Sequence, residues 1–263
     1  MKTIIRKFLN YFGYEVFSGE LSRKSDDPFG LVSGILNVQN IKYIIDGGAS
    51  IGDTSLRLSE LFPDAQVFAF EPYPVFIEIL EMNTKNNPRI QVVPFALDEV
   101  EGKRKMIVNE SEGTNSFFPG KDSENQPYAN LMKKKAEIEV KCKSLDDWSK
   151  TNQLSSIDLI KLDLQGNELA ALRGATQHLK SNKVKAILAE VSFIPQYEEQ
   201  PIASEVMNML TSYDFALFNF YQMHYHHGQL FQADALFLHR SIYEETIRTR
   251  KALFLPHSKF LRQ

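Results

Sequence analysis

Apolar and polar positions along this chain follow two periods, one near two residues and one near 3.6, and their succession predicts the architecture. From residue 42 the periods switch regularly: strand 42–45, helix 54–61, strand 66–70, helix 74–86, strand 90–94. Such alternation implies right-handed crossovers and a parallel sheet with helices on both faces, where ligands bind beyond the carboxyl ends of the strands. The order then changes. Residues 103–109 and 136–143 both alternate with no helix between them and are expected to pair antiparallel. The loop joining them, 110–135, is long, rich in Ser, Asn and Gly, and contains Gly113-Thr114-Asn115-Ser116-Phe117-Phe118. Its length and its two phenylalanines predict a lid or substrate contact, with Ser116 as the candidate on the substrate side. Parallel logic resumes with helix 144–150, strand 157–164, helix 167–179, strand 184–191 and helix 202–211. Strands 215–221 and 233–238 are separated by a short polar connection and are expected to pair antiparallel.

The flanks read differently. Ile4, Ile5, Phe8, Leu9 and Phe12 share one face of an amphipathic helix over residues 1–12, expected to pack on its own domain or on a second subunit of a homo-oligomer. Residues 13–34 read as polar and turn-rich, and 241–263 as a basic, partly helical tail. The domain plan is a helical appendage at 1–41, a Rossmann-like α/β domain at 42–240 and a tail at 241–263.

Chemistry concentrates where the first strand breaks. Ile44-Ile45-Asp46-Gly47-Gly48-Ala49-Ser50-Ile51-Gly52-Asp53 reads as strand, turn and helix start, with glycines that permit unusual backbone angles and close ligand approach. The second strand ends in Phe70-Glu71-Pro72, and Glu71 lies about 20 residues after the glycine turn, the spacing of an acid that accepts hydrogen bonds from ribose hydroxyls. The turn is D-x-G-x-x-x-G, from Asp46 through Gly48 to Gly52, and lacks the G-x-G-x-x-G that holds a pyrophosphate. Asp46 would repel a phosphate and suit a cationic ligand, such as the sulfonium and ammonium groups of S-adenosylmethionine.

Composition narrows the classes. A length of 263 residues fits one main α/β domain, and a hydrophobic fraction of 43% argues against overall disorder. The net charge of −3 gives no general attraction for nucleic acid, so none is expected as a partner. The single Cys142 cannot form an intrachain disulfide. No apolar run approaches the roughly 18 residues of a membrane span and no signal-peptide pattern is present, so the cytoplasm is the expected location.

Two segments together resemble the FkbM family of S-adenosylmethionine-dependent methyltransferases. One is the turn Asp46-Gly47-Gly48-Ala49-Ser50-Ile51-Gly52 with Phe70-Glu71-Pro72. The other is Ile160-Lys161-Leu162-Asp163-Leu164-Gln165-Gly166-Asn167-Glu168, ending in Leu172-Arg173-Gly174-Ala175. Gly47 and Ser50 stand where the family often has an apolar residue and Asn. The resemblance implies the class I methyltransferase fold: a three-layer sandwich around a mostly parallel seven-stranded sheet ending in an antiparallel hairpin, here with an extra β-hairpin insertion. It further implies that the amino-acid end of S-adenosylmethionine lies near Asp46, Gly48, Ala49, Ser50 and Gly52. The ribose would lie at Glu71 and Pro72, and the adenine near Phe95, Ala96 and Leu97. The family methylates hydroxyl oxygens, typically of sugars, glycoconjugates or secondary metabolites.

In the second motif Asp163, expected at a strand end, joins Glu168 and Glu190 as candidate catalytic carboxylates facing one cleft. Asp163 also counts as a candidate ligand of the cofactor's ammonium group. Clustered like charges can raise one carboxylate toward a pKa useful for removing a hydroxyl proton. Glu168 could instead serve the start of its helix, where negative charge is favourable. His224, His226 and His227 lie before the last strand; without a C-x-x-C or H-E-x-x-H partner no metal site is expected, and His224 is a candidate substrate-side residue. Two rivals stay open: a nicotinamide-dependent oxidoreductase, and a non-catalytic scaffold that keeps the fold.

Overall fold

A computed structural model describes residues 27–36, 40–121 and 129–253. The expected helix at 1–12 lies outside them. The chain enters through α1 (Pro28–Ile35) rather than through turns: Asp27 caps it by accepting from the Gly30 N–H at 3.1 Å, and proline occupies the first turn, where its missing N–H costs nothing. An Asp-Pro pair before an apolar run is a helix start, which corrects the turn-rich reading of this stretch.

The domain then alternates as β1 (Tyr43–Gly47), α2 (Asp53–Leu61), β2 (Gln66–Phe70), α3 (Pro74–Thr84) and β3 (Ile90–Val93). After β4 (Ala96–Leu97) come β5 (Gly102–Asn109) and β6 (Lys134–Lys143). Then follow α4 (Leu145–Thr151), β7 (Leu159–Leu162), α5 (Glu168–Arg173), α6 (Thr176–Lys180) and β8 (Ala186–Ser192). The described chain ends with α7 (Ala203–Ser212), β9 (Phe215–His226), β10 (Gln229–His239) and α8 (Arg240–Leu253).

The main sheet has seven strands in the order β3-β2-β1-β7-β8-β10-β9, parallel from β3 to β8 and antiparallel for β10 and β9. This is the class I methyltransferase arrangement. The order in which successive strands are added reverses between β1 and β7, and a crevice opens there at the strand ends. A second sheet, β4-β6-β5, carries the expected antiparallel insertion, with β4 joining the end of β6 in parallel.

Strand parity sets the layers. Ile45, Phe68, Phe70, Leu162, Ile187 and Ala189 pack on one face, around Trp148 of α4. Ile44, Val67, Ala69, Leu188 and Leu236 pack on the other, against Leu58 of α2 and Val32 of α1. The same parity sends Asp46 and Lys161 to the second face, where they are cross-strand partners.

Two further elements differ from expectation. The helix expected over 167–179 is split into α5 and α6 at Gly174, where a side chain would overlap the carbonyl of Asp98. The final hairpin is longer, because β9 and β10 run through the polar connection to a two-residue turn at His227-Gly228, with φ of 47° and 79°. Residues 222–225 are exposed, so their polarity imitates a loop.

Candidate active site

Two neighbouring cavities open at the carboxyl end of the sheet. The first, about 180 Å³, lies above β1, β2 and β4. Gly48, Ser50, Glu71, Pro72, Ala96, Leu97, Ser116 and Asp163 all line it, so most of the sequence-derived cofactor set comes together there. Glu71 is held rigidly: Oε2 accepts from the Ser50 N–H at 2.9 Å and Oε1 from the Tyr73 N–H at 2.8 Å. Burial pushes its pKa up to about 7, with those two N–H groups and the Lys161 charge pulling back. The turn before α2 is fixed by Gly48 and Ala49 N–H groups, which both donate to the Phe70 carbonyl at 3.0 Å.

The second cavity, about 200 Å³, lies on the α2 face. Asp163, Glu190, Asp234, Lys161 and His224 line it. Asp234 stands directly opposite Glu190 in the β8–β10 ladder. Burial raises the pKa of Glu190 well above its ordinary value, and the charges of Asp163, Glu168 and Asp234 push it the same way. Burial and Asp163 likewise lift Asp234 to about 6. Lys161 is the counterweight. Its Nζ donates to the Gly47 and Gly48 carbonyls at 3.3 and 3.0 Å, pairs with Asp46 Oδ1 at 3.2 Å and stands 4.0 Å from Asp163 Oδ2. Burial opposes its charge, but Asp46, Asp163 and Asp234 more than offset that and leave Lys161 above its usual pKa.

Four sequence-derived residues stand back from the cavity walls. Asp46 is fully buried, its other oxygen accepting from the Ser55 hydroxyl, so strand parity turns it toward α2 and Lys161 neutralises it. Ala49 is packed in the core of that face. Gly52 begins α2 with a φ of 101°, where a side chain would press on Leu80. Glu168 folds back on its own turn, accepting from the Leu164 N–H at 2.7 Å and the Gly166 N–H at 3.1 Å. That is the helix-start role, and burial lifts its pKa to about 7. Gly48, with φ of 71°, is glycine for a reason the sequence did not disclose: the carbonyl of Asp163 occupies the space a side chain would need.

Tyr73, Phe76 and Met106 were not singled out in the sequence, and with Phe95 and Phe117 they give the first cavity an apolar lining. Of the loop expected as a lid, residues 122–128 lie outside the described ones; Ser116 pairs with Ile107 in an isolated antiparallel bridge, its hydroxyl donates to the Gln165 carbonyl at 2.7 Å, and Phe117 lines the first cavity. Arg104 packs 4.0 Å above the Phe117 ring while donating to Asp98 and Asn167. Asp234 carried a findable signal, since it is the one acid in the otherwise apolar strand expected over 233–238, on the same face as the core residue Leu236. Among the described residues, no group of three or more His, Cys, Asp or Glu side chains is placed to hold a metal, and no helix is long and apolar enough to cross a membrane.

Several known proteins are similar to this chain. The "2-O-methyltransferase NoeI" of Sinorhizobium fredii is 28% identical over 176 residues, covering 65% of this chain and 72% of that protein. The "Hexuronic acid methyltransferase AglP" of Haloferax volcanii is 27% identical over 146 residues, covering 56% of this chain and 54% of that protein. Among solved structures, magnesium protoporphyrin IX methyltransferase from Synechocystis, with S-adenosylmethionine bound, aligns with a TM-score of 0.44 at 11% identity, covering 90% of this chain and 96% of that one. The family model described as "Methyltransferase FkbM domain" matches residues 46–217, which takes in the glycine turn, Glu71, Asp163 and Glu190, and the chain belongs to that family of methyltransferases.

Proposed function

We propose that this protein is an S-adenosylmethionine-dependent O-methyltransferase acting on a hydroxyl of a carbohydrate, glycoconjugate or secondary metabolite, with residues 42–240 as the catalytic unit. The observation that carries the reading is the position of Asp163, which lines both cavities, an apolar one containing Glu71 and a carboxylate-lined one beyond. The relatives named for 2-O- and hexuronic acid methylation support a sugar-like acceptor.

The first cavity fits the cofactor chemically. Glu71 presents a fixed carboxylate for ribose hydroxyls, and the Phe95-Ala96-Leu97 segment offers an apolar wall for a purine. When bound there, S-adenosylmethionine supplies an electrophilic methyl group on a sulfonium. Phe117, Tyr73 and Met106 add apolar wall to that cavity. The second cavity holds the acceptor, aligning its hydroxyl at Asp163, and alignment of this kind supplies much of the acceleration of a displacement. Glu190 or Asp163 takes the hydroxyl proton, and Glu190, with its raised pKa, is the stronger base once ionised.

Calorimetric titration with S-adenosylmethionine, S-adenosylhomocysteine and NAD tests the cofactor. Binding of the first two without NAD is expected. Preference for NAD would favour a nicotinamide oxidoreductase instead.

A further inference from the structure

Gln165 sits where its residue type is unfavourable. Its φ of 51° lies in the left-handed region, which strains an ordinary side chain but not a glycine, yet the chain places glutamine there and glycine at the next position. The side chain is fully used. Nε2 donates to Asp163 Oδ1 at 2.8 Å and faces Glu190 Oε2 at 3.5 Å. Oε1 accepts from the buried Tyr197 hydroxyl at 2.8 Å, and that hydroxyl shares its single proton with the Thr114 carbonyl at 3.0 Å. The Gln165 backbone carbonyl accepts from Ser116. Only a carboxamide of this length can donate toward two carboxylates and accept from a phenol at once, whereas a glutamate would add another negative charge beside them.

The Asp163 carboxylate has a competing partner. Its other oxygen is 4.0 Å from Lys161 Nζ, and a small rotation would close that ion pair and draw the charge inward, away from the junction of the two cavities. We infer that Gln165 is a positioning residue, braced by Tyr197, that holds the Asp163 carboxylate off Lys161 and at the junction between the cofactor and acceptor cavities. This rests on the proposed methyltransferase reading and adds to it a residue that acts through Asp163 rather than on the reacting atoms.

The test uses the one charge that separates S-adenosylmethionine from S-adenosylhomocysteine, the sulfonium. Calorimetry on the full chain gives the ratio of the two affinities for wild type, Asp163→Asn, Gln165→Gly and Gln165→Met. Asp163→Asn is expected to lower the preference for the sulfonium about tenfold, the scale of a charge pair a few ångströms apart at a partly solvated site. Both Gln165 variants are expected to lower it by about threefold or more. The melting temperature of Gln165→Gly should be unchanged or raised as the backbone strain is relieved, an outcome a merely structural glutamine would not give. A wild type that binds neither ligand, or a ratio unmoved by Asp163→Asn, overturns the functional reading and this inference with it. A ratio that moves in Asp163→Asn but in neither Gln165 variant overturns the inference alone, as would failure of both variants to fold.

Discussion

Glu71 is the residue proposed to hold the cofactor's ribose, and its environment makes two outcomes calculable. It already accepts two backbone N–H bonds, so it is pre-aimed at a ligand rather than recruited by one. Replacing it with alanine should weaken S-adenosylhomocysteine binding by about 1.5–3 kcal/mol, the scale of hydrogen bonds to a charged group, with folding retained. Calorimetry with a melting curve checks both halves. Its pKa of about 7 adds a pH signature. Ribose hydroxyls donate to the ionised form, so affinity should climb as pH rises through 7 and level off above it, and Glu71→Gln should abolish the climb. The acceptor side differs. Glu190 must lose its proton to act as a base, and burial with its acidic neighbours raises its pKa, so the single-turnover rate should still be rising with pH above the ordinary carboxylate range. Glu190→Gln should flatten that rise and cut the rate about a hundredfold while leaving cofactor affinity nearly intact, provided Glu190 rather than Asp163 is the base.

At the scale of elements, the turn from β1 into α2 and the run from β7 into α5 interlock through Gly48 and the Asp163 carbonyl. Gly48→Ala must both adopt a φ near 71° and displace that carbonyl, which should destabilise the fold by about 2–4 kcal/mol in urea unfolding. Gly102→Ala, at a position with open space around it, should be close to neutral. This contact also explains what a linear reading could not reach. The strand–helix alternation, the inserted antiparallel pair and the closing hairpin follow from local periodicity, and the pairing of the glycine turn with Glu71 follows from spacing. Which glycine serves a ligand and which serves a neighbouring strand depends on β1 lying beside β7, more than 100 residues away in the chain. Asp46 shows the same limit. Its charge type pointed to a cation, and the cation it meets is Lys161. Gln165 and Tyr197 were invisible as a pair because one sits in a motif and the other in an irregular segment after β8.

Across the whole molecule, acidic groups buried at the strand ends tie stability to pH. Glu71 and Glu168 have folded values of about 7 against an ordinary 4.5, and Asp234 about 6 against 3.8, each raised first of all by burial. A carboxyl whose pKa is raised by folding binds its proton more tightly in the folded state. Its contribution is therefore fully present below the ordinary value and is lost as pH rises through the folded one. The melting temperature of the ligand-free protein should thus fall between about pH 4.5 and pH 7, a trend a buffer-matched thermal scan would reveal. Of the three, Glu71 is proposed to meet the cofactor's ribose, Asp234 lines the proposed acceptor cavity, and Glu168 serves its own turn. The most direct measurement is transfer of label from methyl-labelled S-adenosylmethionine to a broad panel of neutral, aminated and acidic sugars, with the position of the label read by mass spectrometry and NMR. The account predicts a methyl ether on a sugar oxygen, lost or sharply reduced in Asp163→Asn. Label on nitrogen or carbon, or undiminished transfer by Asp163→Asn, would contradict it.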